Sequence, residues 1–177
     1  MSHHAICIAL IVAAAGQMWT LGFPACAEAA DPEPSGLTIK SASKMSVVVT
    51  AEIWDKLPRT SVKVETQEGE TAYEGVAMAE LLKLVEAPLG KELRGKALAS
   101  YVLVKATDGY RVVFSLPEVD PESTTQIVLL ADRRDGKPLD GKEGPYRIVV
   151  EAEKKRARWV RQVIEISVEA SDGGNSG

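Results

Sequence analysis

Apolar and polar residues alternate along much of this chain, and that alternation predicts strands. Val62 and Val64 set against Lys63 and Glu65 predict a strand over 61–65 with the valines turned inward. β-rich runs predict further strands over 46–50, 127–131, 146–150 and 164–169. Residues 101–105 and 110–114 are two such runs joined by Ala106-Thr107-Asp108-Gly109. Asp-Gly between strand-like runs predicts a hairpin, with Val102, Val104, Val112 and Phe114 on its buried face. Helical spacing is clearest where Met78, Leu81, Leu82 and Val85 fall at i, i+3, i+4 and i+7. This predicts a helix over 76–86, stopped by Pro88 and Gly90, whose apolar stripe faces the core. A shorter helix is expected over 50–57, closed by Pro58. Strands outnumber helices and fall in hairpins and pairs rather than in βαβ alternation. The expected class is therefore α+β, a mixed, mainly antiparallel sheet with few short helices.

The first 29 residues carry no lysine or arginine, and residues 5–16 are an unbroken apolar run, shorter than a bilayer span. Ala25-Cys26-Ala27 and Ala27-Glu28-Ala29 both fit the small-residue rule for signal cleavage, so residues 1–29 are expected to be a signal peptide. The mature protein would then be periplasmic or secreted, with no transmembrane span. Residues 30–45 are expected to be a flexible N-terminal segment, 46–169 a single domain, and the Gly- and Ser-rich 170–177 a disordered tail.

Beyond Ala30 the chain contains neither cysteine nor histidine. Thiol nucleophiles, imidazole bases, Ser-His-Asp triads, disulfides and the Cys/His ligand sets of zinc or copper are closed to the mature domain. Its roughly 145 residues must hold together by one hydrophobic core. The net charge of −4 gives no sign of a nucleic-acid partner.

The densest charge lies at Glu153-Lys154-Lys155-Arg156-Ala157-Arg158-Trp159-Val160-Arg161, five basic residues within eight positions. Guanidinium forks and ammonium charges at this density suit an oxyanion, and they equally suit a solvated guard on a sheet edge. Glu118, Asp120 and Glu122 are carboxylates for a hydrolytic reading, set in a segment that also reads as a solvated, helix-starting loop.

Five short motifs occur in one order. They are Tyr73-Glu74-Gly75-Val76 with Ala79-Glu80-Leu81-Leu82; Asp108-Gly109-Tyr110 with Phe114-Ser115-Leu116; and Val128-Leu129-Leu130-Ala131 with Asp135-Gly136-Lys137-Pro138-Leu139. Gly144-Pro145-Tyr146-Arg147-Ile148-Val149-Val150 and Ala157-Arg158-Trp159-Val160-Arg161 complete the series. Together they resemble the oxidoreductase molybdopterin-binding domain of the sulfite-oxidase type. The resemblance implies that family's fold and a molybdopterin cofactor. It also implies that Arg147, Arg158 and Arg161 converge on one concave surface to hold the pterin phosphate and an oxyanion.

Three departures fall in the same region. The family's enzymes hold molybdenum through a cysteine thiolate, and residues 64–71, where the resemblance would place it, contain none. The family's Pro-Gly turn after Val-Val is replaced by Glu151-Ala152, and Lys142-Glu143 stands near the position of a frequent histidine. The expected function is a metal-free, non-catalytic relative that binds a small anion, a pterin or a periplasmic redox partner. The alternative is a molybdopterin-dependent oxidoreductase with a non-cysteine ligand.

Overall fold

The computed structural model describes residues 36–66 and 69–170; the expected signal peptide and the tail beyond 170 lie outside them. Strand β1 (Leu37–Lys40) pairs antiparallel with β2 (Ser46–Val49) and parallel with the last strand of the chain. Leu37 and Ile39 are fully buried, so the segment expected to be flexible over 30–45 instead supplies a sheet strand from residue 37. Its signal was a single alternation, Leu-Thr-Ile-Lys, too short to stand out beside the prolines that precede it.

Helix α1 (Ala51–Lys56) is capped by the Thr50 hydroxyl, which accepts from the Ile53 amide at 3.4 Å, and it buries Trp54. Strand β3 (Arg59–Thr66) turns Val62 and Val64 inward as expected and forms a hairpin with β4 (Gly69–Ala77). Helix α2 (Met78–Lys83) is shorter than its periodicity predicts. Val76 and Ala77 pair with Leu130 and Leu129 of a neighbouring strand, and the ladder takes them from the helix. Met78, Leu81, Leu82 and Val85 are all buried along the predicted stripe, each stabilising the fold by about 1.5–3 kcal/mol relative to exposure.

Strands β5 (Tyr101–Ala106) and β6 (Arg111–Ser115) form the predicted hairpin. Gly109 sits at φ +83° in its turn, and Val102, Val104, Val112 and Phe114 are buried. Helix α3 (Leu116–Val119) starts with a capping box in which Ser115 and Glu118 satisfy one another's backbone amides. Strand β7 (Val128–Arg134) then pairs with β4, with the short β8 (Lys137–Pro138) and with β9 (Arg147–Val150). Strand β10 (Val163–Glu169) ends the fold.

Two sheets result. One has the order β2-β1-β10-β5-β6, mixed because β1 and β10 run parallel; the other runs β3-β4-β7-β8 with β9 also on β7, and is antiparallel. Side chains of both sheets and of all three helices meet in one hydrophobic cluster. The fold is α+β, as the pattern of alternation predicts. No helix among the described residues is long and apolar enough to cross a membrane.

Candidate functional site

The second sheet carries a polar cavity of about 230 Å³ lined by Thr66, Thr71, Tyr73, Arg134, Glu143, Arg147 and Arg156. Its geometry begins with a bulge. Gly75 lies opposite Ala131, but the register shifts between Glu74 and Gly75, so that Glu74 meets Arg133 and Tyr73 meets Arg134. Asp132 is the extra residue, and its carboxylate turns to Arg59 and the Trp54 indole, at 2.6 and 3.0 Å. A side chain at Gly75 would lie 2.0 Å from the Leu130 carbonyl oxygen, so only glycine fits this approach. Beyond the bulge, Asp135 ties β7 back to β4, donating its amide to the Ala72 carbonyl and accepting the Ala72 amide on its side chain. Arg134 is thereby held across from Tyr73.

Arg147 enters from the all-buried strand β9, where it faces Ala131 of β7. Its guanidinium bonds Glu143 at 2.6 Å and the Tyr73 hydroxyl at 3.4 Å, and it lies 5.3 and 5.6 Å from the Tyr73 and Trp159 ring centres. Only 7% of Arg147 is exposed, and its buried Nε has no partner. Arg156 approaches from the short 3-10 turn at Arg156–Arg158, with 2.5 Å to the Glu65 carbonyl and 4.7 Å to the Trp159 ring centre. Glu143 is the one carboxylate of the cavity and also reaches Arg134 at 3.4 Å.

Three guanidiniums thus line the cavity with one carboxylate, which pairs with two of them. Arginine does not deprotonate in proteins, and the Tyr73 hydroxyl and the Glu143 carboxylate raise Arg134 further above its ordinary value. The cavity carries a net positive charge and hydroxyl-bearing side chains.

Of the three arginines expected to converge, the structure brings only Arg147 to this cavity. Arg158 is taken up by carboxylates: Nε bonds Glu153 at 2.5 Å, both terminal nitrogens bond Glu118 at 3.2 Å, and the guanidinium lies 4.4 Å from the Phe114 ring centre. Burial works against its charge, yet Glu118 and Glu153 raise it above the ordinary value. Arg161 is exposed and lines a separate cleft with Asp108, Tyr110 and Lys142. Arg147, Arg158 and Arg161 therefore do not share one surface; Arg134 and Arg156 line the cavity with Arg147 instead. Two of the three carboxylates weighed for hydrolysis do other tasks. Glu118 caps α3 and holds Arg158, while buried Asp120 accepts from the Gly90 amide at 3.0 Å and the Ser123 hydroxyl at 2.7 Å.

The donors of the cavity do not fit a molybdenum centre. Guanidiniums cannot ligate a metal, the one carboxylate already bridges two of them, and the sequence's two cysteines, Cys7 and Cys26, lie in the expected signal peptide. Its volume is also below the roughly 300 Å³ at which pockets for drug-sized ligands begin.

No family model matches the chain, and no curated protein matches it. Among solved structures, it is similar to the sulfane dehydrogenase SoxCD from Paracoccus pantotrophus, at a TM-score of 0.57 and 18% identity. The match covers 77% of this chain and 39% of that one. The likeness is one of fold: mixed sheets, mostly antiparallel, with few short helices.

Proposed function

We propose that this chain is a metal-free relative of the sulfite-oxidase-type molybdopterin-binding domain that binds a small oxyanion between Arg134, Arg147 and Arg156. The observation that carries the reading is the charge of one cavity: three guanidiniums and three hydroxyl-bearing residues around a single carboxylate. The oxidoreductase reading needs a metal ligand, and none of these side chains is suited to it. The lysine-free apolar run before the A-x-A sites supports export, so the anion would be met in the periplasm or outside the cell.

The test uses the exported protein, checked by N-terminal sequencing, with metal analysis and phosphate titration at low ionic strength. Trp159 touches both Arg147 and Arg156 and serves as the fluorescent reporter. Arg134→Ala and Arg156→Ala are each expected to weaken binding by about tenfold or more, the worth of a charge-assisted hydrogen bond. Arg158→Ala should lower the thermal midpoint and leave affinity unchanged. Added salt should weaken binding, because the Debye length falls from about 10 Å at 0.1 M to about 3 Å at 1 M. Stoichiometric molybdenum, or an Arg158→Ala loss equal to that of Arg156→Ala, would refute the reading.

A further inference from the structure

The geometry points to a site that selects an oxyanion still carrying a proton, of the hydrogenphosphate class, and rejects a fully deprotonated one such as sulfate. Glu143 is the residue that makes the selection. The inference rests on the oxyanion reading above and goes further, because it assigns the one acceptor in a cavity otherwise built of donors.

Arginine has donors and no acceptor. Arg147 donates to the Tyr73 oxygen at 3.4 Å. The phenol oxygen therefore accepts from a guanidinium, and its hydrogen is left to be given to an acceptor. With the Arg134, Arg147 and Arg156 guanidiniums and the Thr71 hydroxyl, Tyr73 supplies the donors that an anion's bare oxygens need.

Glu143 works in the opposite sense. Its Oε1 accepts from Arg147 at 2.6 Å and its Oε2 from Arg134 at 3.4 Å. A carboxylate has about four lone-pair positions, so each oxygen keeps one. An anion that enters a cavity of about 230 Å³ among these guanidiniums must lie beside this carboxylate. If the facing ligand oxygen bears hydrogen, it donates to Glu143. If that oxygen is bare, two anionic oxygens meet with no proton between them.

Glu143 cannot readily move aside. Its amide donates to the Asp140 carbonyl at 3.1 Å, its carbonyl accepts the Gln162 amide at 3.0 Å, and its side chain is held at both oxygens. Near neutral pH inorganic phosphate and arsenate keep a proton, whereas sulfate and selenate have none. Phosphate monoesters near neutral pH have largely lost theirs, and they fall on the rejected side.

The test is calorimetric titration of the full chain with phosphate, arsenate, sulfate and selenate at pH 7 and one ionic strength. Phosphate and arsenate are expected to bind at least tenfold more tightly than sulfate and selenate, the discrimination that one charged hydrogen bond supplies. Glu143→Gln replaces the acceptor pair by an amide that can donate, and should bring the phosphate-to-sulfate ratio to within about threefold by strengthening sulfate and weakening phosphate. If the wild-type protein binds sulfate as tightly as phosphate, the selection is wrong while the oxyanion site stands. If it binds neither, the oxyanion reading falls and this one with it. An unchanged ratio in Glu143→Gln would remove Glu143 from the role. Should that variant fail to fold, the four-anion series on the wild-type protein decides alone.

Discussion

Replacing Gly75 with alanine adds one methyl group at the point where β4 bulges against β7. The new Cβ would stand 2.0 Å from the Leu130 oxygen, 2.6 Å from the Ala131 Cα and 2.7 Å from the Leu130 carbonyl carbon. Carbon contacts relax at about 3.5–4.0 Å, so the two strands must separate by roughly 1 Å. All three atoms are main chain, and no side chain can rotate to relieve the clash. Separation would weaken the pairings Gly75 to Ala131, Val76 to Leu130 and Ala77 to Leu129. Losing two or three ladder hydrogen bonds at about 1 kcal/mol each, with overpacking strain of about 1–3 kcal/mol, gives about 3–6 kcal/mol. For roughly 130 ordered residues, an unfolding entropy near 2.1 cal/mol/K per residue turns this into a fall of about 10–20 °C in thermal midpoint. Circular dichroism melting with parallel urea unfolding measures it. The variant should also bind phosphate poorly, because the same bulge sets Tyr73 opposite Arg134. A midpoint within about 3 °C of wild type would refute the close approach and the register built on it.

Gly109→Val tests a different kind of glycine: its φ is +83° and a Cβ there would meet no atom within 4 Å, so only backbone strain is added, about 1 kcal/mol or somewhat more. An unchanged midpoint would mean that the β5–β6 turn does not need a left-handed residue. Burial alone would raise the Asp120 carboxyl, but the Ser123 hydroxyl and the Gly90, Glu122 and Ser123 amides more than offset this and hold it below its ordinary value. With the folded pKa below the unfolded one, near 3.9, the ionised group stabilises the fold above that pH and loses its effect as pH falls through the folded value. The urea-stability gap between wild type and Asp120→Asn should therefore be open at pH 7 and narrow below about pH 4; a gap constant into stronger acid would contradict it.

The elements with a strong local pattern were legible in the sequence. The Asp-Gly hairpin, the stripe of Met78, Leu81, Leu82 and Val85, and the alternation at Val62 and Val64 all stand where the periodicity predicts. What local pattern could not show was strand β4, whose Gly69, Glu70, Glu74 and Gly75 dilute the alternation of Thr71 and Tyr73. Strand β1 was hidden for the same reason, being four residues long and stabilised by a partner, β10, that lies more than a hundred positions further on. Both are strands whose stability comes from pairing rather than from composition, the case in which tertiary context overrides propensity.

Which residues line the cavity was not legible in the sequence. A run of basic residues announces an anion, but each guanidinium is worth only what remains after its carboxylate neighbours are counted, and those neighbours lie far off in sequence. Arg158 meets Glu118 from 40 positions away and Glu153 from five, which leaves it a staple between the loop after β9 and the start of α3. Arg147 shares Glu143 with Arg134, and Arg156 spends its contact on a main-chain carbonyl. Two of the three cavity arginines, Arg134 and Arg147, therefore come from outside the run. Arg134 itself was hidden by one residue of register. In an unbroken antiparallel ladder continuing Gly75 to Ala131, Tyr73 would face Arg133; the extra residue Asp132 moves Tyr73 on to Arg134. Gly75 was legible as part of a motif, but its consequence, the identity of the arginine across from Tyr73, exists only once the strands are paired.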